Sequence, residues 1–182
     1  MKEIIAFIGR AGSGKDYQAN KLVERGFYKL AFADILRHIT AAICRISYEQ
    51  LMKHYDDFKN NEYFPNYTGR QLLENIGHAI RVYDDEFWIN SVLNHIRINN
   101  LQKIVISDMR YINEYLKTRE FALNNDYQFK CIFCDYHSSR YQQYNNDESA
   151  KLSNYLAENG YKDLQEITYV DINNIKEELC RK

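Results

Sequence analysis

Apolar residues along the chain occur in short unbroken runs, separated by longer segments in which they recur every three or four positions. The clearest runs are Lys2–Ile8, which ends at Gly9, and residues 103–107, which precede Asp108. Short apolar runs bounded by turn residues are typical of buried strands. Weaker runs predict further strands at residues 28–33, 128–134 and 166–172.

The segments between these runs have helical spacing. Thr68 is suited to cap a helix that begins at Gly69, and Gly26 is suited to end the first helix. Acidic residues at 84–86 favour another helix start. The predicted helices cover residues 15–25, 35–55, 69–83, 84–98, 112–124, 149–158 and 175–181.

Strands that alternate with helices imply crossover connections and therefore a parallel sheet. We predict an α/β fold with a five-stranded parallel sheet flanked by helices, in which the strand from Lys2 is central. Residues 60–67 contain the one proline of the chain, Pro65, and predict a loop. The length of 182 residues suits a single domain over residues 1–182.

Charge and cysteine content narrow the function classes. A formal net charge of −1 gives no overall attraction to nucleic acid or to an anionic membrane, so we expect neither as a partner. The apolar runs are too short to span a bilayer, and we see no leader-like pattern, so we expect a cytoplasmic protein. Cys131 and Cys134 lack a second pair at zinc spacing, which predicts buried strand thiols.

The strongest motif lies between the first strand and the first helix. Residues 9–15 read Gly-Arg-Ala-Gly-Ser-Gly-Lys, which matches the phosphate-loop pattern GxxxxGK in its proper context. Glycines allow backbone N–H groups to point into one concavity, and the helix N-terminus adds further donors. We predict that Lys15 contacts the β- and γ-phosphates of ATP. The predicted ATP-binding residues are Gly9, Arg10, Ala11, Gly12, Ser13, Gly14, Lys15 and Asp16.

Two aspartates, Asp16 and Asp108, each have two alternative roles. Asp16 stands where a magnesium-binding Ser or Thr is usual. It is either a ligand of Mg²⁺, directly or through water, or an acidic residue that favours a helix start. Asp108 follows a predicted strand, where ligands of α/β sheets bind. It either orients the acceptor or a magnesium-bound water, or caps the next helix.

Transfer of a phosphoryl group needs more positive charge than one lysine supplies. Arg70 and Arg81 are about three turns apart on one predicted helix, so they can share a face and bind a phosphate. From spacing alone, two solvated surface arginines are the favoured interpretation. Other arginines in segments expected to border the cleft are Arg37, Arg110 and Arg140.

Taken together, the motifs resemble the bacteriophage deoxynucleoside monophosphate kinases, a family of nucleoside monophosphate kinase-like P-loop proteins. Asp16 after the lysine is similar to that family's phosphate loop. The other blocks that carry the resemblance are Phe32-Ala-Asp-Ile-Leu-Arg37, Thr68-Gly-Arg-Gln-Leu-Leu73 with Gly77 and Arg81, Asp85-Glu-Phe-Trp88, and Asp108-Met-Arg110 with Asn113-Glu114.

The resemblance implies transfer of the γ-phosphoryl group of ATP to a deoxynucleoside monophosphate, with Mg²⁺ as cofactor and a homodimer as the assembly. It implies an acceptor-binding helical part at about 34–100 and a lid at about 137–150, where Arg140 would be catalytic together with Lys15. The acceptor side that it implies consists of Asp34, Arg37, Arg70, Arg81, Trp88, Asp108, Arg110 and Glu114.

Three other functions are compatible with a phosphate loop. A P-loop kinase for another small phosphorylated acceptor, such as phosphomevalonate or dephospho-coenzyme A, would share the scaffold. A GTPase-type switch would usually carry Asn-Lys-x-Asp, which we do not find. A DNA-processing P-loop protein is disfavoured by the near-neutral charge.

Overall fold

The computed structural model describes residues 2–9, 12–134, 147–159 and 164–167. The strands in these residues are β1 (Lys2–Ile8), β2 (Tyr28–Leu30), β3 (Glu62–Phe64), β4 (Tyr67–Thr68), β5 (Lys103–Ile106), β6 (Tyr127–Cys134) and β7 (Leu164–Ile167). The helices are α1 (Lys15–Val23), α2 (Asp34–Ile43), α3 (Tyr48–Lys53), α4 (Tyr55–Asn60), α5 (Gly69–Tyr83), α6 (Phe87–Ile98), α7 (Ile112–Asn124) and α8 (Asp147–Asn159).

Five of the described strands form one sheet in the order β2-β5-β1-β6-β7. Every neighbouring pair in it is parallel. In β1, Ile4 is paired with Ile104 of β5 on one side and with Phe129 of β6 on the other. The predicted α/β class and the central place of the first strand are confirmed. Because the strands are parallel, their carboxyl ends lie along one edge of the sheet.

The apolar run of β1 is continuous because both faces of the strand are covered. Side chains from Ile4 to Ile8 are at most 2% exposed. On one face, Ile5 and Phe7 pack with Ala19 and Leu22 of α1. Burial on both faces is what distinguishes a central parallel strand from an edge strand.

The chain divides into two compact units. One comprises Met1–Ala31 and His95–Lys182 and contains the sheet. The other is the continuous stretch Phe32–Asn94, which has its own core. That core consists of Ala41, Cys44, Leu51, Phe58 and Leu73. The second unit nearly coincides with the helical part predicted at 34–100, and its role in acceptor binding stays a prediction, as does the single domain.

The prediction of one helix over residues 35–55 is wrong. The structure has α2, α3 and the start of α4 there. Arg45 has a positive φ of 55°, which ends helical geometry after α2. Ser47 then starts α3 with a capping box, because its hydroxyl accepts from the Gln50 N–H while the Gln50 side chain accepts from the Ser47 N–H. Apolar spacing continues across this break, so periodicity alone did not reveal it.

The prediction of a loop at residues 60–67 is also wrong. The antiparallel pair β3 and β4 occupies half of it, as a separate two-stranded sheet. Asn66 forms the turn with a φ of 72°, and its N–H donates to Glu62 Oε1 at 2.8 Å. Asn tolerates this left-handed conformation better than most residues, which makes it a turn signal.

Other predictions of local structure are confirmed. The helices Gly69–Tyr83 and Ile112–Asn124 have the expected bounds, and Thr68 caps the first of them by accepting from the Gln71 N–H. Strand β7 overlaps the start of the predicted strand 166–172. The remainder of that strand, the predicted helix 175–181 and most of the predicted lid lie outside the described residues. Within the described part of the chain, the helices are all too short or too polar to cross a membrane.

Candidate active site

The glycines described in the loop after β1 have positive φ angles. Gly9, Gly12 and Gly14 have φ values of 136°, 76° and 85°. Residues with a side chain rarely adopt such angles. At Gly9, a Cβ atom would in addition collide with the carbonyl oxygen of Cys134 and with Ser13 Oγ. Glycine is therefore required at Gly9 both by its angle and by the close approach of β6.

Lys15 is directed back into this loop. It is the first residue of α1 and is only 7% exposed. Its Nζ donates a hydrogen bond of 2.7 Å to the carbonyl oxygen of Gly9 and lies 3.4 Å from Ser13 Oγ. The ammonium group is thus held against the loop, the position from which a P-loop lysine reaches phosphate oxygens.

Residues after β5 and at the end of β6 lie close enough to Lys15 to act on its charge. The pKa of Lys15 is lowered from 10.5 to about 8, first by burial and then by the positive charge of Arg110. Cys134 and the carboxylates of Asp16 and Asp108 oppose this decrease in pKa. The structure therefore brings together four predicted site residues in the first unit: Lys15, Asp16, Asp108 and Arg110.

The sequence analysis did not identify Cys134 as part of the site. It is 4% exposed, and burial raises its pKa to about 11 against the opposing effect of Lys15. At neutral pH its thiol is therefore protonated. The sequence did contain a signal: Cys134 ends the strand next to β1, and parallel neighbours end at the same edge of the sheet. Cys131 and Cys134 are both buried on β6, as predicted.

The lowered pKa of Lys15 predicts a pH effect on stability. Between pH 8 and 10.5 the unfolded state binds a proton at this lysine that the folded state does not, so stability should rise with pH in that window. We expect the difference in the free energy of unfolding between wild type and Lys15→Met to change by about 3 kcal/mol in favour of wild type from pH 8 to 10.5. Denaturant unfolding of both proteins from about pH 7 upward measures this. A difference between the proteins that does not change with pH would contradict it.

Asp16, the predicted magnesium ligand, is 77% exposed, and its Oδ1 lies 2.8 Å from Lys29 Nζ. Lys29 also donates to Asn20 Oδ1 at 3.0 Å, so the lysine bridges two residues of α1. Magnesium is usually held by one or two carboxylates together with substrate phosphates. Asp16 and Asp108, which both act on Lys15, supply that donor set, and the residues fit the ion. The role of Asp16 as a ligand stays a prediction.

For Asp108, one of the two alternatives can be set aside. The N-cap of α7 is Tyr111, three residues further along the chain, so Asp108 does not cap that helix. The residue that contacts the start of α7 is Glu114, whose carboxylate accepts from the N–H groups of Arg110 and Tyr111. Asp108 is half-buried, and its carboxylate acts on the charge of Lys15.

The second unit contains another group of predicted site residues. Arg37 and Asp34, one turn apart on α2, form an ion pair of 2.7 Å. The Nε of Arg37 lies 3.4 Å from the hydroxyl of Tyr55, and its guanidinium lies 5.5 Å from the centre of that ring. Arg37 is 18% exposed, so these contacts fix the direction of a mostly buried cation. Sequence reasoning did not identify Tyr55 as its partner.

Helix α5 carries Arg70 and Arg81, which are both half-buried. Gly77, one turn before Arg81, leaves space for its guanidinium: a Cβ atom at Gly77 would lie 3.5 Å from Arg81 Nη1. The guanidinium of Arg81 thus extends toward the N-terminus of α5, where Arg70 lies. That the two arginines share one face of the helix and bind a phosphate stays a prediction.

Trp88, predicted to bind the acceptor, is 2% exposed. Its indole N–H donates to the carbonyl oxygen of Gly77 at 3.4 Å, and its ring packs edge-on against Phe87. In this conformation Trp88 stabilises the packing of α5. Its predicted contact with a ligand stays a prediction, as do those of Arg10, Ala11 and Arg140, which lie outside the described residues.

Comparisons with known proteins give little beyond this geometry. No protein-family model matches the sequence, and no curated protein matches it. The APS kinase of Mycobacterium tuberculosis is similar in structure with a TM-score of 0.44 and 15% identity, over 98% of this chain and 94% of that one. A gluconokinase from Sinorhizobium meliloti has a TM-score of 0.43 and 14% identity, over 98% and 95%. Likenesses this weak carry no functional argument.

Proposed function

We propose that the protein is an ATP-dependent P-loop kinase that transfers the γ-phosphoryl group of ATP to a small phosphorylated acceptor, a deoxynucleoside monophosphate. The observation that carries the proposal is the loop between β1 and α1. Glycines with positive φ shape its backbone, and the buried ammonium of Lys15 lies 2.7 Å from its first carbonyl oxygen. This combination is typical of loops that bind nucleotide phosphates.

The residues around the loop suit transfer as well as binding. In phosphoryl transfer, negative charge is spread over the oxygens of the moving group, and catalysis consists mainly of positioning and electrostatic stabilisation. Lys15 and Arg110 supply two positive charges, and Asp108 supplies a carboxylate beside them. Asp16, Asp108 or both would hold Mg²⁺, which would supply positive charge that offsets part of the negative charge of the phosphates.

The reaction needs no strong general base. An oxygen of the acceptor phosphate attacks the γ-phosphorus, the bond to the β–γ bridging oxygen breaks, and ADP leaves. Because that acceptor oxygen is already anionic, no proton has to be removed first. Lys15 and Arg110 have only to hold the phosphoryl oxygens in place and offset their charge.

The nature of the acceptor rests on the resemblance of the second unit to the phage kinases. The cations there, Arg37, Arg70 and Arg81, are all partly buried, and an ion pair with Asp34 directs the guanidinium of Arg37. Partly buried, directed guanidinium groups are suited to bind a phosphate. Their number favours an anionic acceptor over a neutral sugar or alcohol. This support does not extend to the base or to the sugar of the acceptor.

The test is an acceptor panel with γ-labelled ATP and Mg²⁺. It contains all deoxynucleoside and ribonucleoside monophosphates, phosphomevalonate, dephospho-coenzyme A and a sample without acceptor. We expect label to appear in one or more deoxynucleoside diphosphates at rates far above the hydrolysis seen without acceptor. Transfer to phosphomevalonate or dephospho-coenzyme A alone would reassign the acceptor. Hydrolysis of ATP without transfer of label to any acceptor in the panel would overturn the proposal.

Arg70 and Arg81 are predicted to bind the phosphate of the acceptor. Replacement of either by lysine should raise the acceptor KM about tenfold and leave the ATP KM unchanged, because a point charge cannot replace a bidentate guanidinium. Steady-state kinetics with each substrate varied in turn measure this. Arg97→Lys, at an exposed position on α6, is the matched control. An increase in the ATP KM alone would place both arginines on the nucleotide side.

A further inference from the structure

The carboxylate of Glu114 is buried in an unusual position for an acidic residue. Glu114 is 3% exposed. Its Oε2 accepts the backbone N–H of Arg110 at 2.7 Å and that of Tyr111 at 3.0 Å. A buried charge is costly unless such hydrogen bonds compensate for its lost hydration. The Glu114 N–H donates to Asn113 Oδ1 at 2.9 Å, so the backbone of Glu114 is also hydrogen-bonded within the first turn of α7.

The two hydrogen bonds fix one end of the loop between β5 and α7. The other end is fixed at Ser107, which is 3% exposed and donates its N–H to the carbonyl oxygen of Leu30 at 3.1 Å. Between the two ends, Met109 is completely buried. Asp108 and Arg110 therefore project from a short backbone segment that is held on both sides.

Arg110 is the residue of this segment that Glu114 holds most directly. The 2.7 Å bond joins the carboxylate to the backbone nitrogen of Arg110 itself. From there the charge of Arg110 acts on Lys15 in the phosphate loop. A shift of the Arg110 backbone would move its guanidinium relative to the loop, and errors of about 1 Å in placement can cost a hundredfold in rate.

We propose that Glu114 is a positioning residue: its carboxylate holds the backbone of Arg110 so that the guanidinium faces the phosphate loop. Glu114 itself then contacts neither nucleotide nor acceptor, in contrast to the direct acceptor-side role that the family resemblance implies for it. The inference rests on the proposed function, since it assigns Arg110 to the transferring phosphoryl group.

A double-mutant cycle tests whether the effect of Glu114 on kcat depends on Arg110. We expect Glu114→Ala to lower kcat about a hundredfold, and Arg110→Ala to lower it at least as much. In the double variant, removal of Glu114 should cost nothing further, because the group that it positions is already absent. Multiplicative losses in the double variant would overturn the proposal, since Glu114 would then act independently of Arg110.

Two further variants separate positioning from a general structural role. Glu114→Gln keeps an oxygen in the same place and should retain kcat within about tenfold of wild type, which guards against a poorly folded alanine variant. Glu120→Gln, an exposed carboxylate on the same helix, is the control and should leave kcat unchanged. A lowered Tm for Glu114→Ala with wild-type kcat in the folded enzyme would assign Glu114 to stability alone and overturn the proposal.

The same proteins distinguish this inference from the proposed function. If the wild type transfers label to no acceptor in the panel, the proposed function fails, and the cycle is measured on the Kd of Mg·ADP by calorimetry. Weakened binding in Glu114→Ala that disappears in the Arg110→Ala background would still support positioning. Independent effects on Kd, or no effect of Glu114→Ala, would overturn it.

Discussion

Replacement of Lys15 by alanine is expected to lower kcat by about 10²–10³-fold, the loss typical of removing one donor that stabilises a developing negative charge. The ammonium of Lys15 already lies within the loop, 2.7 Å from the Gly9 carbonyl oxygen, and is 7% exposed. Its charge therefore acts on the phosphates with little screening by water. Single-turnover measurements at saturating ATP separate this loss from weaker binding.

The control for this variant is Lys21→Ala on the same helix. Lys21 is exposed and its one described ion pair is with Glu24 at 3.6 Å, so its removal should leave kcat unchanged. Circular dichroism and thermal unfolding of both variants establish that the fold is retained. Turnover by Lys15→Ala at the wild-type rate would exclude the phosphate-loop assignment.

Replacement of Gly9 by alanine should have the second largest effect, this time on folding as well as activity. The added Cβ would collide with the Cys134 carbonyl oxygen, which belongs to a backbone held in register with β1 through the pair Ile8 and Phe133. The φ of 136° adds conformational strain. Together we expect a loss of about 3 kcal/mol in the free energy of unfolding and no detectable binding of ADP.

Gly26→Ala provides the matched control for strain without collision. Gly26 also has a positive φ, 85°, yet a Cβ there would meet no atom within 4 Å. Its replacement should therefore cost only about 1–2 kcal/mol. Denaturant unfolding of both variants gives the comparison. Equal losses for the two glycines would show that close approach of β6 is not what requires glycine at position 9.

The predictable parts of the fold are those set by neighbouring residues. Strand β1 follows from an apolar run that ends in glycine, and α5 follows from the capping box of Thr68 with Gln71. The division of residues 35–55 into three helices depends on two breaks: a positive φ at Arg45, which arginine rarely adopts, and non-helical backbone angles at His54. Apolar spacing continues across these breaks, so periodicity does not report them.

The candidate site was predictable to a similar extent. The loop and Lys15 follow from the motif and its context, and Asp108 from its place after a strand. The partner of Arg37, Tyr55, lies on another helix, so no local pattern reveals it. The role of Glu114 depends on which backbone groups its carboxylate contacts, and only a structure supplies that information.

The central position of β1 has a consequence for the order of folding during synthesis. β1 is made first, yet both of its partners, β5 and β6, are made only after the whole of Phe32–Asn94. The continuous second unit has its own core and can therefore fold while the oldest strand still lacks both neighbours. Pairing over such sequence separations is slow, so we expect nascent chains that stop before β6 to expose an aggregation-prone strand. The appearance of β6 outside the ribosome would then be the event that commits the sheet to form.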